Sequence, residues 1–166
     1  FGPLALAFLT TLAPVASAQE KPLPPEKAKE AFLKLLDRPK VPADVKTVTK
    51  RADDAVVYEL WSFASEKKAD GTVERVPVFQ VSPKNAKGKL PAVIVLHGTG
   101  GSKEKVQSWL EDFAKQGVVG IAIDARYHGS RAFVLDSSAY VAAITKAWKA
   151  PADKMEHPFY YDTVWD

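Results

Sequence analysis

Two short stretches of this 166-residue chain hold the residue types that can do chemistry. The first is His97-Gly98-Thr99-Gly100-Gly101-Ser102; the second runs from Asp124 through Arg126, His128, Gly129 and Ser130 to Arg131. Six of the nine glycines lie between 98 and 129, which places the unusual backbone geometry there. Glycines let backbone N–H groups turn toward a ligand, and a helix that follows adds partial positive charge at its N-terminus. Such a turn can hold an anion or a developing oxyanion. A phosphate-binding P-loop needs Gly-Lys-Ser/Thr after four intervening residues, and Gly98 to Lys103 does not supply it. A dinucleotide-binding turn fits better, with Gly98-x-Gly100 and the acidic Asp124 at the end of the next strand. The third glycine of G-x-G-x-x-G would fall at 103, however, which is lysine. His97, His128 and His157 are too dispersed for a zinc motif. The absence of cysteine removes thiol nucleophiles and cysteine-ligated zinc from these residues.

The elements that must position the two stretches can be read from periodicity. Pro91–Leu96 (PAVIVL) is a continuous apolar run, as a strand covered on both faces requires. A helix is predicted over about 103–116, with Val106, Trp109, Leu110, Phe113 and Ala114 at helical spacing. Gly117 stops it, and 118–123 (VVGIAI) reads as a second buried strand. This is a β-α-β unit with both glycine-bearing turns at the carboxyl ends of its strands, where open α/β sheets bind ligands. Ahead of it, 45–52, 55–63 and 73–81 alternate in the manner of an antiparallel meander, with Pro77 favouring an edge position for the third strand. Helices are also predicted at about 26–37 and 137–149, and 159–166 reads as the start of another. Trp61, Trp109, Trp148 and Trp165 fall at core-like positions and read as packing.

Residues 1–18 (FGPLALAFLTTLAPVASA) are uncharged, mostly apolar, and close on Ala16-Ser17-Ala18. The run is short for a membrane span, which needs about 20 residues. It fits the apolar region and cleavage site of a signal peptide lacking its basic start, so the expected product is exported after cleavage near Ala18, with no stable membrane span. Residues 19–44 then read as a Pro-rich linker and a helix. Export argues against a soluble nicotinamide cofactor. The net charge of +3 arises from 23 basic residues scattered among 20 acids, with no basic stripe, so no nucleic-acid partner is expected.

Taken together, PAVIVLHGTGGSKE (91–104) followed by GVVGIAIDARYHGSR (117–131) resembles the first half of an α/β-hydrolase. In that family a strand ends in His-Gly, and a glycine-rich turn offers backbone N–H groups to the tetrahedral intermediate. The next strand commonly ends in an Asp-x-Arg-x-His-Gly-type turn, matched by Asp124, Arg126, His128 and Gly129. The nearest subgroups are exported esterases similar to acetyl xylan esterases and dienelactone hydrolases, with prolyl oligopeptidase-like enzymes close by. Glu156-His157-Pro158-Phe159-Tyr160-Tyr161-Asp162 resembles the stretch such sequences carry before the nucleophile-bearing turn. The resemblance covers about 45–166 and is most specific over 91–131. It implies an α/β fold, a small-molecule or saccharide ester as substrate, and neither cofactor nor metal. It makes the backbone N–H groups of Thr99 and Gly100 the oxyanion donors, with His97, Gly98 and Gly101 holding the turn. Asp124, Arg126, His128 and Arg131 become pocket or substrate contacts. Their plainer reading is a hydrogen-bonded corner in which Arg126 and Asp124 satisfy loop backbone and each other.

One part of the family pattern is absent. No G-x-S-x-G occurs among the 166 residues. The family's chain order is nucleophile, acid, then histidine, so the resemblance implies that all three lie beyond Asp166 and that the hydrolase domain is cut before its nucleophile. An alternative trio, His97, Asp124 and Ser130 or Ser102, would lack a turn to present the serine. A peptidase of the prolyl oligopeptidase type would usually need a propeller ahead of the hydrolase, and one blade alone takes about 40–45 residues. A non-catalytic exported module of the same fold is the reading from another class.

Overall fold

The computed structural model describes residues 23–132, 138–150 and 159–166; the leader reading of 1–18 and the Glu156–Pro158 stretch lie outside the described residues. The elements run α1 (Pro25–Leu36), β1 (Lys46–Ala52), β2 (Val56–Lys67), β3 (Val73–Pro83), β4 (Ala92–Leu96), α2 (Gln107–Lys115), β5 (Val119–Ile123), α3 (Ser138–Lys149) and α4 (Phe159–Trp165). One-turn 3-10 segments at Lys103–Val106 and Gly129–Arg131 follow the two glycine-bearing turns.

The five strands form one sheet in the order β1-β2-β3-β5-β4. β1, β2 and β3 are an antiparallel meander, as the alternation predicts, and β5 joins β3 antiparallel over Val78–Val81. β4 and β5 pair in parallel from Ala92↔Val119 to Leu96↔Ile123, with α2 as the crossover between them. The sheet is thus of the mixed α/β type expected, antiparallel first and parallel after.

Burial explains why the chain takes this form. Leu110 and Ala114 of α2 are fully shielded, and Val106 and Phe113 pack beside them against Val56, Tyr58, Phe79, Val81, Val95 and Ala122. The helix can sit this low because residue 120 is glycine: a Cβ there would lie 2.8 Å from Leu110 Cα. Tyr58 anchors the same layer, its hydroxyl 3.0 Å from both Glu111 of α2 and Asp53.

Three expectations need correction. β3 is interior, between β2 and β5, and not at an edge. Pro77 is tolerated there because the β3–β5 ladder stops at Val78. Its carbonyl still accepts from the Asp124 N–H at 3.2 Å, and the Asp124 carbonyl takes its hydrogen bond from Arg131 in place of the N–H that proline lacks. β4 is covered on one face only, leaving Ile94 and Leu96 65% and 68% exposed. Among the described residues, its apolar run is that of a strand at the sheet's edge with no layer over its second face. At the opposite edge, β1 carries Lys46, Lys50 and Arg51 and a bulge between Thr47 and Thr49, the usual protection of a free edge. Trp109 and Trp148, read as packing, are 61% and 87% exposed. α2 meets the sheet through Leu110, Phe113 and Ala114, a stripe that leaves Trp109 outside, and α3 buries no residue.

Candidate functional site

Because β4 and β5 are neighbours that end together, the turns leaving Leu96 and Ile123 lie side by side. His97 joins them. Its Nε2 accepts a hydrogen bond from the Ala125 N–H at 3.2 Å, so the proton sits on Nδ1, which donates to the Gly98 carbonyl at 2.9 Å. The Gly101 N–H reaches the same carbonyl at 2.9 Å and closes a four-residue turn. Gly100, at φ +73°, occupies its third position, where a type II turn requires the left-handed region. No peptide bond among the described residues is cis, so the Thr99 N–H points opposite to the Gly98 carbonyl and away from the turn's interior. Neither the Thr99 nor the Gly100 N–H has an acceptor among the described residues.

A cavity of about 250 Å³ opens beside this turn. His97, Gly98 and Thr99 form one wall, Ala125 and His128 a second, and Tyr140 of α3 with Thr163 and Val164 of α4 the rest. His128 Nδ1 donates to the Arg126 carbonyl at 2.8 Å, and its ring stacks on Tyr140 with centroids 5.1 Å apart. The His97 ring lies 5.2 Å from that of His128. Tyr127, between Arg126 and His128, is held at φ +61°, a left-handed conformation that costs a non-glycine residue about 1–2 kcal/mol. Such strain is characteristic of functional loops.

Behind the turns lies a buried ion pair. Asp124 is fully shielded from solvent. Its Oδ1 accepts the Lys103 backbone N–H at 2.8 Å. Its Oδ2 accepts the Lys103 ammonium at 2.7 Å, the Ser130 N–H at 2.9 Å and the Ser130 hydroxyl at 2.7 Å. Burial alone would raise the Asp124 carboxyl, but Lys103 and Ser130 outweigh it and hold it below the ordinary range. Burial would likewise lower Lys103, yet Asp124 and Glu104 prevail and raise it. Both groups are therefore charged. The Ser130 hydroxyl donates to a carboxylate while the ammonium donates to its oxygen at 3.0 Å, the reverse of an activated nucleophile. His97 spends both nitrogens on backbone, and Asp124 bonds Lys103 and Ser130, so the trio His97, Asp124 and Ser130 forms no relay.

Asp124 does accept loop backbone N–H groups, those of Lys103 and Ser130, as a hydrogen-bonded corner would, but Arg126 and Asp124 do not satisfy each other. The Arg126 guanidinium bonds Asp166 at 3.0 and 3.1 Å and Glu66 at 2.9 Å, and lies 3.5 Å from Asp162. Arg131 bonds Asp166 and Glu74, each at 2.7 Å, and the Asp124 carbonyl at 3.1 Å. Arg38 adds bonds to Glu66 at 3.0 Å and Asp162 at 2.5 Å. With the Ser65 hydroxyl on Asp166 at 2.7 Å, these groups fasten α4 to the end of β2. Of the four residues expected at a pocket, His128 lines the cavity, while Asp124, Arg126 and Arg131 are turned into the ion pairs beside it. Lys103 went unrecognised in the sequence, where it served only to reject two nucleotide-binding motifs. The signal was its place directly after the first turn, opposite an acid that ends the neighbouring strand.

The α4 network predicts a specific acid response. Burial would raise the Asp166 carboxyl, but Arg126, Arg131 and Ser65 hold it below the ordinary range. A carboxylate depressed on folding contributes stability that is full above its unfolded value of about 3.9 and lost as pH falls through its lower folded value. Asp166→Asn should lower stability at pH 7 and flatten its decline below about pH 4. Unfolding free energies of the two proteins across that range give the check; parallel curves would contradict it.

Among the described residues, no group of three or more His, Asp or Glu is arranged to hold a metal ion, and no helix is long and apolar enough to cross a membrane. No family model and no curated protein matches the sequence. Solved structures do. A Bacteroides fragilis protein provisionally named an acetyl xylan esterase superposes with TM-score 0.63 at 15% identity, over 84% of this chain and 39% of that one. Acetyl xylan esterases from Paenibacillus sp. R4 and Thermoanaerobacterium sp. JW/SL YS485 match with TM-score 0.43, at 23% and 20% identity, each over 63% of this chain and 32% of theirs. The first of these shares this chain's fold, and the chain spans about two fifths of its length. The sheet order and the β-α-β unit are of the α/β-hydrolase type.

Proposed function

We propose that this chain is the N-terminal part of an exported serine hydrolase that cleaves carboxylic esters, acetyl-like in their acyl group, through an acyl-enzyme. The observation that carries the reading is the Thr99 N–H. It is aimed away from its own turn by the fixed Gly98 carbonyl, has no acceptor among the described residues, and belongs to a residue that lines a cavity. A donor held in that way meets the requirement of an oxyanion site, where charge appears only as the carbonyl carbon becomes tetrahedral.

In the proposed reaction a serine supplied from beyond Asp166 attacks the ester carbonyl, and the carbonyl oxygen gathers negative charge. The Thr99 N–H donates to it, assisted by the N–H of the residue after the nucleophile. Collapse expels the alcohol, which takes up the proton that the attacking serine passed to the histidine the resemblance also places beyond Asp166, leaving an acyl-enzyme that water then hydrolyses by the same path. A single preorganised donor is worth about 3–4 kcal/mol in such a transition state. Residues 1–18 act as the leader, 19–44 as linker and N-terminal helix, and 45–166 as the opening of the hydrolase domain.

The test begins with the encoding DNA, where a strand and Gly-x-Ser-x-Gly are expected within a few tens of residues after Asp166. The complete protein should hydrolyse p-nitrophenyl acetate and be labelled by a fluorophosphonate at that serine, while residues 19–166 alone should not exceed a buffer blank. A stop codon directly after Asp166 would remove the enzymatic reading and leave a non-catalytic module. Saturable hydrolysis by 19–166 that Ser130→Ala abolishes would overturn the placement of the nucleophile.

A further inference from the structure

The aim of the Thr99 N–H depends on contacts that end in the interior. The Gly98 carbonyl is held by His97 Nδ1, and His97 Nε2 by the N–H of Ala125. Ala125 follows Asp124, whose carboxylate is gripped by Lys103 and Ser130. Lys103 itself starts the 3-10 segment immediately after the glycine turn. The first turn is therefore fastened to the second at its beginning by His97 and at its end by Lys103. Lys103 is 4% exposed, and burying its ammonium is expensive; apolar residues of similar volume commonly hold a core as well or better. What they lack is direction: two bonds from one residue, N–H to Oδ1 and ammonium to Oδ2, fix the carboxylate's orientation as well as its place.

We propose that Lys103 is a positioning residue for the oxyanion turn, acting through Asp124, Ala125 and His97 on the peptide plane that aims the Thr99 N–H. This rests on the oxyanion reading given above.

The experiment uses the complete protein and compares wild type with the double variant Lys103→Met/Asp124→Leu and with Ser130→Ala. Urea unfolding is followed beside kcat and KM for p-nitrophenyl acetate and inhibition by phenylboronic acid, which forms a tetrahedral adduct. The double variant removes both charges together and so avoids an uncompensated buried ion. It should lower kcat roughly ten- to a hundredfold and weaken the boronate in proportion, with KM within about twofold, because the loss falls on the transition state. Ser130→Ala, which keeps the backbone N–H on Asp124, should fold normally and lower kcat severalfold at unchanged KM. If the double variant folds with wild-type kcat, the pair only supports the fold and the proposal is overturned. Should it fail to fold, Ser130→Ala decides: an unchanged kcat overturns the proposal and a lowered one supports it. A wild-type protein with no hydrolysis and no fluorophosphonate labelling would overturn the oxyanion reading, and this inference with it.

Discussion

Asp124→Asn should destabilise the protein by about 3–5 kcal/mol, the usual cost of removing one partner of a buried ion pair. The substitution barely changes shape, so the loss falls on charge and hydrogen bonding and not on packing. It leaves the Lys103 ammonium, on a side chain 5% exposed, with Glu104 as its one compensating carboxylate among the described residues, and that side chain is 51% exposed. It also replaces one of the two acceptor oxygens with an NH2 that cannot accept, so the four donors converging on the carboxylate can no longer all be satisfied. Urea unfolding gives the value; a change below about 1 kcal/mol, the range of exposed pairs, would mean the pair is solvated in solution.

Gly129→Ala should be comparably damaging, roughly 3 kcal/mol or more, through the same carboxylate. Gly129 has φ +51°, and a Cβ there would overlap the Asp124 carboxyl group. The carboxylate cannot yield without releasing Lys103 and Ser130, so the turn must open or the ion pair must break. Gly71 and Gly88 separate this from backbone strain alone. They have φ +87° and +77°, but a Cβ at either meets nothing within 4 Å, so alanine there should cost only about 1–2 kcal/mol. Because Gly129→Ala and Asp124→Asn strike one network, their combined loss should fall short of the sum. Equal losses at 71, 88 and 129 would refute the steric account.

The strands and helices were largely legible because their signals are local. Alternation marks β2 and β3, and the spacing of Leu110 and Ala114 marks α2, whatever those segments later pack against. Partnership is not local, and there the expectations failed. A proline argues for an edge only if its missing N–H would face a neighbour, and Pro77 lies just past the ladder that would have needed it. An apolar run argues for two covered faces only if a layer arrives on each, and among the described residues β4 has one. Trp109 sits at helical spacing beside Leu110, yet the sheet meets α2 only along the narrower stripe that the glycine at 120 admits.

The same division runs through the site. Sequence alone determined the two chemical stretches: glycines at 98, 100 and 101 permit a turn that exposes N–H groups, and an acid and basic residues follow the next strand. It also determined that no G-x-S-x-G lies within these residues. Tertiary structure decided which groups face the cavity and which face each other. By seating β5 between β3 and β4, the sheet brings Lys103 within 2.7 Å of Asp124, 21 positions away, and carries Arg126 to Asp166, 40 positions away. Pairing of buried charges depends on that juxtaposition and on the exclusion of water. Residue type and spacing specify neither until the strands have found their neighbours.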